Sequence, residues 1–105
     1  MKHTPVQPRF ETVRDLFRSP KRWTKHVLAS DKDYNEVGPR SKEAQSWCLL
    51  GAIEHVYRGR AKHAAIQGLR DTIHEEFGFS DICMFNDSPN IFIKDIRKAV
   101  RKAGI

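Results

Sequence analysis

The longest apolar run in the chain, WCLLGAI at residues 47–53, restricts the fold most strongly. Between Ala44 and Tyr57, apolar side chains surround most of a helical circumference, which is typical of a buried central helix. Gly51 interrupts the run, and a glycine inside a helix costs up to about 1 kcal/mol relative to alanine. We therefore expect a central helix at about residues 42–58 that another backbone approaches closely at Gly51.

The helical spacing of apolar residues predicts three further helices. They span about residues 9–18, 61–77 and 90–103. Gly78 follows the third helix at a position where glycine commonly ends a helix. Residues 79–89 are expected to form a linker that packs over the core and then turns.

Capping residues define the predicted helix boundaries more closely. Ser41 is a suitable N-cap for the central helix, and Gly59 is a suitable residue to end it. Asn86, Asp87 and Ser88 are all capping residue types, and one of them is expected to cap the last helix. The alternative makes Asp87 an acid, a base or a metal ligand, but no second carboxylate or histidine stands at ligand spacing nearby.

Residues 24–38 carry the only strand pattern. Val27 and Ala29 alternate with polar neighbours, and DKDYN then supplies turn residues before Glu36-Val37. This pattern predicts a short β-hairpin, with Asn35 in the left-handed turn position.

Together these elements predict a mainly α fold of the α+β class. About four helices would surround one core, with a small two-stranded β-hairpin between helices 1 and 2. Residues 9–105 would form this single domain, because 105 residues suffice for one core and not for two. Residues 1–8, which contain two prolines, are expected to form an extended N-terminal arm.

The composition indicates a basic protein of the cytoplasm. Lys and Arg number 19 against 13 Asp and Glu, and the resulting formal net charge of +6 favours anionic partners. No apolar run approaches the ~20 residues of a membrane span, and the first ten residues lack the apolar core of a signal peptide. Cys48 and Cys83 fall in no metal-binding or redox spacing. We therefore expect no membrane contact, no metal and no cofactor.

Four segments stand out as motifs: Trp23-Thr24, the hairpin ASDKDYNEV, the block AQSWCLLGAI, and FND before the last helix. Together they resemble a bacterial and phage family of small proteins that is classed as a domain of unknown function. The resemblance covers about residues 10–103, and the Trp-Cys-Leu-Leu-Gly-Ala block is its most specific part. It implies the fold and a bacterial or phage origin, and it brings no activity with it.

The chain departs from the pattern of that family at three positions. Asn35 stands where a turn glycine is usual, Phe85 where a tryptophan is usual, and Phe92 where a helix-capping threonine is usual. The last departure concerns the start of the final helix.

The position of Cys48 beside Trp47, seven residues before His55, raises the question of a catalytic thiol. In the predicted helix, Cys48 lies two turns from the N-terminus and His55 a further two turns, about 10 Å, along the axis. A direct thiol–imidazole hydrogen bond cannot span that distance, so we expect a structural cysteine. The functional alternative is a groove for a flat ligand, walled by Trp23 and Trp47, with His55 and Asp87 at its edge.

The last predicted helix has two contrasting faces. Five cations lie within an arc of roughly 140°: Lys94, Arg97, Lys98, Arg101 and Lys102. The opposite face is apolar and belongs to the core, which argues against membrane binding. A basic face of this kind either holds phosphates or is simply solvated. Arg58 and Arg60, with Lys62, form a second basic cluster in the sequence.

These features favour a small non-catalytic binding protein, such as a phage or bacterial accessory protein that inhibits a host factor or sequesters a ligand. Its basic last helix would engage an anionic partner: a nucleic acid, a nucleotide-type ligand or an acidic protein surface. One alternative is a small enzyme that uses Cys48 or Asp87 with a histidine. Another is a homo-oligomeric adaptor, such as a homodimer, that uses exposed aromatics like Tyr34. The expected location is the bacterial cytoplasm, or the host cytoplasm if the protein is encoded by a phage.

Overall fold

Five α-helices and a three-stranded antiparallel sheet make up residues 9–105, the part of the chain that this computed structural model describes. In chain order the elements are α1 (Val13–Leu16), a 3-10 helix (Pro20–Arg22), β1 (Ala29–Ser30), β2 (Glu36–Val37), β3 (Ser46–Trp47), α2 (Leu49–Val56), α3 (Gly59–Phe77), α4 (Ile82–Asp87) and α5 (Ile93–Ala103). The predicted α+β fold is confirmed, with one helix and one strand more than expected. The arm predicted for residues 1–8 lies outside the described residues.

The first helix is shorter than its apolar spacing predicts. The hydroxyl of Thr12 accepts the Asp15 N–H at 3.0 Å, so the helix begins at Val13 and not near residue 9. It ends at Leu16, where the chain turns toward the 3-10 helix.

The hairpin is confirmed, with Ala29 of β1 opposite Val37 of β2. The Asp31 carboxylate holds the turn by accepting the N–H groups of Asp33 and Asn35, both at 2.9 Å. The left-handed residue is Tyr34, with φ of 65°, so the prediction for Asn35 is wrong by one position.

A third strand occupies the predicted first half of the central helix. Ser46–Trp47 pairs with β1 on the side opposite β2, giving the strand order β2-β1-β3. The Gln45 N–H donates to the Ser30 carbonyl at 2.7 Å, and the Cys48 N–H donates to the Leu28 carbonyl at 3.2 Å. Because β1 offers these partners, the apolar segment first runs as a buried strand, and only its second half is helical.

The boundaries predicted for the central helix are therefore wrong at both ends. The N-cap of α2 is Cys48, while the Ser41 hydroxyl accepts the Glu43 N–H in a turn before β3. The helix ends at Val56, because residues 57 and 58 are extended, and Gly59, with φ of 55°, is the first residue of α3. The close approach predicted at Gly51 is confirmed, because the backbone of Leu28 lies directly against its Cα.

The long helix α3 and the last helix α5 lie against each other and, with α2, contribute about half of the buried core residues. Leu69 and Ile73 of α3 and Ile96 and Val100 of α5 are fully buried. Gly78 ends α3 in the left-handed conformation, as predicted.

The predicted linker contains a helix that the sequence pattern missed. The Asp81 carboxylate accepts the Met84 N–H at 2.8 Å and starts α4, so Asn86 and Asp87 form its last turn. The prediction that one of residues 86–88 caps the last helix is wrong. The N-cap of α5 is Phe92, which has no side-chain acceptor, and the Asp95 carboxylate accepts the Phe92 N–H at 2.9 Å.

The backbone oxygen of Ile105 fixes α1 against the end of α5. It accepts the Val13 N–H at 3.0 Å and the Tyr57 hydroxyl at 2.7 Å. This contact places the exposed face of α1 beside the basic face of α5. Among residues 9–105, no helix is both long enough and apolar enough to cross a membrane.

Candidate functional site: an arginine cleft between two helices

The basic face of α5 divides into two edges with different neighbours. Along one edge, Lys102 pairs with Glu76 of α3 at 3.1 Å, and the Lys98 ammonium lies 5.6 Å from the centre of the Phe77 ring. These two cations are thus held against α3. The other edge, with Arg97 and Arg101, faces α1.

Arg97 connects α5 to the end of α1. Its guanidinium donates to the Phe17 carbonyl at 2.9 Å and to the Arg18 carbonyl at 2.7 Å. Both carbonyls lie just after α1, where a cation also complements the helix dipole. Arg97 therefore has a structural role, and its guanidinium is held against the backbone at residues 17 and 18.

Four arginines line one cleft of about 280 Å³ between α1 and α5, with Phe17 and Val100 as its floor. We call it the arginine cleft: Arg14 and Arg18 from the α1 side, and Arg97 and Arg101 from α5. Arg97 and Arg101 stand four residues apart on α5 and so share one side of that helix, whereas Arg18 follows the end of α1 and reaches the cleft from the turn. The floor is closed, because Phe17 is 1% exposed and Val100 is fully buried.

Few acidic groups compensate this positive charge. Arg18 pairs with Asp15 at 3.2 Å, in an exposed contact. The side chains of Arg14 and Arg101 form no hydrogen bond or ion pair with any residue in the range 9–105, and Lys94, one turn before Arg97, is exposed in the same way. Three solvated cations therefore lie at or next to the cleft.

The second basic cluster of the sequence is mostly engaged in the fold. Lys62 and Arg40 both pair with Glu54, at 3.3 and 3.6 Å. The Arg58 guanidinium donates to three carbonyls at the end of α2, those of residues 54, 55 and 57. Arg60 is exposed, so binding by this cluster remains a prediction that rests mainly on Arg60.

Trp47 and His55 meet inside the fold, away from the arginine cleft. Trp47 is 1% exposed, its ring centre lies 4.6 Å from that of His55, and both side chains contact the Pro39 carbonyl, at 2.9 and 2.8 Å. Burial lowers the pKa of His55, which favours the neutral ring. The pair also packs against Phe10, and contact of this edge with a flat ligand stays a prediction.

Trp23 is held by a buried asparagine. Asn86 is fully buried, and its carbonyl oxygen accepts the Trp23 indole N–H at 2.7 Å and the Leu49 N–H at 3.0 Å. Its amide donates to the Thr24 carbonyl at 3.0 Å and to the Asp87 carboxylate at 2.9 Å. These four hydrogen bonds, which we call the Asn86 clamp, use the full bonding capacity of the side chain.

Asp87 supports a strained residue next to the clamp. Its carboxylate accepts the His26 N–H at 2.9 Å and lies 3.8 Å from the His26 ring nitrogen. His26 has φ of 73°, a left-handed conformation that costs a non-glycine residue about 1–2 kcal/mol. Both side chains line a second cleft of about 220 Å³ with Cys48 and Cys83, which we call the thiol cleft.

The environment of Cys48 disfavours its thiolate. As the N-cap of α2, its sulfur accepts the Gly51 N–H at 3.3 Å, so the prediction that it lies two turns inside the helix is wrong. Burial nevertheless raises the pKa of Cys48 to about 11, outweighing that hydrogen bond. Burial also raises the pKa of Cys83, with Asp81 and Asp87 adding to the effect. Within residues 9–105, no three His, Cys, Asp or Glu side chains are arranged to hold a metal ion.

Sequence reasoning missed two of the four arginines in the cleft. The signal was present, because Arg14 and Arg18 stand four residues apart in the first predicted helix. Because they lie about 80 residues before Arg97 and Arg101 in the sequence, their proximity to these two residues could not be predicted. Only the packing of α1 against α5 brings the two pairs together.

The comparisons with known proteins confirm the resemblance to a family of unknown function. No curated protein and no solved structure matches the chain. The family model of DUF6197, a family of unknown function, matches residues 1–104. This match spans nearly the whole chain, so the protein belongs to the DUF6197 family.

Proposed function

We propose that this protein is a non-catalytic binding protein that engages an anionic partner through the arginine cleft. The observation that carries the proposal is that four arginines, two from the α1 side and two from α5, line one cleft, and that within residues 9–105 only Asp15 pairs with any of them. Four like charges around one cleft repel one another, and a bound anion would relieve that repulsion. Guanidinium groups also suit oxyanions, since they donate two parallel hydrogen bonds to a phosphate, sulfate or carboxylate.

Heparin, a sulfated polyanion without bases, is a suitable probe for this proposal. We expect the Arg14→Glu/Arg101→Glu variant to bind heparin about tenfold or more weakly than the wild type at low ionic strength. Neither side chain forms a hydrogen bond or ion pair within the described residues, so the fold should tolerate the change. Isothermal titration calorimetry measures the affinity, and thermal unfolding verifies that the variant is folded.

The matched control is the Lys42→Glu/Arg70→Glu variant, which changes the net charge equally. Lys42 lies in the turn before β3 and Arg70 on α3; both are exposed, and neither lines the cleft. We expect it to lose about threefold at most, since only the long-range field changes. Equal losses in the two variants would refute a specific cleft. If Arg14→Glu/Arg101→Glu unfolds, the neutral Arg14→Gln/Arg101→Gln variant tests the same expectation.

A second candidate function is a small enzyme that acts in the thiol cleft. It is favoured by one observation: the cleft brings Cys48, Asp87 and a histidine, His26, to the same surface. A thiol nucleophile must be largely ionised near neutral pH. The raised pKa values of Cys48 and Cys83 favour the binding function over this one.

Thiol labelling separates the two candidates. With a pKa of about 11, only roughly one Cys48 thiol in a thousand is ionised at pH 8. We expect native Cys48 in a Cys83→Ser variant to react with iodoacetamide far more slowly than the same thiol after denaturation, as followed by mass spectrometry. Fast labelling of the native protein near pH 7 would instead support the enzyme.

A further inference from the structure

We infer that the anion bound in the arginine cleft is the phosphodiester backbone of a nucleic acid strand, recognised without regard to base sequence. This inference rests on the proposed function and specifies its partner. It depends on the spacing of the cations, the closed floor of the cleft and the location of the exposed apolar residues.

The cations are distributed along the cleft and are not gathered at one position. Lys94, Arg97 and Arg101 follow one side of α5 over about 10 Å, and Arg14 and Arg18 lie across the cleft from the last two. A nucleic acid strand carries a phosphate for about every 3.4 Å of duplex axis, so several phosphates can meet cations at once. An isolated phosphate can contact only some of these cations at once.

The floor of the cleft argues against a mononucleotide ligand. Nucleotide bases are commonly held by stacking on an aromatic face or a guanidinium plane. Phe17 is the aromatic residue of the floor, and at 1% exposure it presents no ring face to a base. A mononucleotide would therefore find no aromatic face here and could use only a guanidinium plane and its phosphate contacts, whereas a polymer adds one contact per phosphate.

The surroundings of the cleft argue against an acidic protein surface. Protein interfaces have a desolvated core rich in aromatic residues and methionine. The large apolar side chains exposed in residues 9–105 are Leu28, Tyr34, Met84 and Phe92, and none of them lines the arginine cleft. A cationic track without an apolar centre suits a phosphate backbone better, since binding then depends on the release of counterions.

Fluorescence anisotropy with labelled oligothymidylate tests the inference. The probe is about 20 nucleotides long, more than the roughly 4–16 nucleotides that one single-strand-binding domain covers. We expect it to bind at least about 100-fold more tightly than thymidine monophosphate, used as competitor, and about as tightly as oligoadenylate. Between about 50 and 200 mM salt, the slope of log affinity against log salt should be near −3. Each of the four cleft arginines that contacts a phosphate contributes about −0.7 to this slope on a single strand. Arg14→Glu/Arg101→Glu should reduce both the affinity and the slope, and Lys42→Glu/Arg70→Glu should largely preserve them.

Polyglutamate of similar charge distinguishes failure of the inference from failure of the proposed function. If polyglutamate competes as well as oligothymidylate, the phosphodiester assignment is overturned while anion binding stands. Equal affinity for the monophosphate and the oligonucleotide, or oligonucleotide binding unaffected by Arg14→Glu/Arg101→Glu, overturns it as well. Absence of binding to both heparin and oligonucleotide overturns the proposed function itself.

Discussion

Replacing Gly51 with alanine is expected to lower the free energy of unfolding by about 3 kcal/mol or more. A Cβ at this position would overlap the Leu28 carbonyl oxygen and lie 2.7 Å from the carbonyl carbon. The obstacle is backbone, so no rotamer change relieves it. The same carbonyl accepts the Cys48 N–H, and displacing it would separate the chain before β1 from the start of α2. Urea unfolding followed by circular dichroism measures the loss.

The chain supplies a matched control in Gly68→Ala. Gly68 lies inside α3, and a Cβ there would meet only the Ala103 carbonyl, at an ordinary 3.9 Å. Alanine is the better helix former, so we expect this variant to gain about 0.5–1 kcal/mol. Two glycine-to-alanine changes in helices should therefore shift stability in opposite directions. Destabilisation of similar size in both would mean that the approach of Leu28 is not the constraint at Gly51.

Replacing Asn86 with alanine is expected to destabilise the protein by about 3 kcal/mol or more, because it removes all four hydrogen bonds of the Asn86 clamp. The Leu49 N–H and the Trp23 indole N–H would lose their acceptor, and each buried polar group left unpaired costs about 1–3 kcal/mol. The Asp87 carboxylate would also lose a donor. Urea unfolding measures the change in stability.

Asn90→Ala is the control for this change. Asn90 is exposed, and its backbone N–H donates to the Ser88 hydroxyl at 3.4 Å, a contact that alanine preserves. We expect a change within about 0.5 kcal/mol. A similarly small effect at Asn86 would show that water replaces the clamp at little cost.

The features that the sequence predicts well are local ones. The long helix α3 follows from a regular apolar stripe and a terminal Gly78, both of which act within a few residues. The hairpin likewise follows from its own turn, held by Asp31. Neither element needs a distant partner to fix its type.

The features that the sequence predicts poorly depend on distant partners. The apolar run around Trp47 is compatible with a buried helix and with a buried strand. Pairing with β1 makes the segment a strand up to Trp47, and the helix begins only after it. Asn86 has a residue type favoured at helix caps, so its role in joining Trp23 to Leu49 could not be inferred from its neighbours. The short helix α4 was not predicted either, because its last turn consists of residue types that usually cap helices.

The candidate site was half predictable. The periodicity of the last helix correctly places Arg97 and Arg101 on one basic face, but it cannot tell which cations will pair with other elements. Lys102 meets Glu76 of α3, whereas Arg101 remains solvated beside α1. Only the packing of the helices separates the two edges.

The Asn86 clamp also explains the structural role of two motifs that lie far apart in the sequence. The segments Trp23-Thr24 and FND contribute the indole, the carbonyl and the amide that bond to one another. The FND motif is therefore first a structural device. Its aspartate supports the strained His26 at the edge of the thiol cleft.

The same clamp bears on the order in which the chain acquires its structure. Its contacts join residues up to 63 positions apart, whereas those of the hairpin are local. Closing so long a loop costs more conformational entropy than closing the hairpin, and contacts of this range slow folding. On the ribosome, Trp23 and Thr24 remain without these partners until Asn86 has been synthesised, so we expect the segment around Trp23 to pack only after the FND motif has emerged.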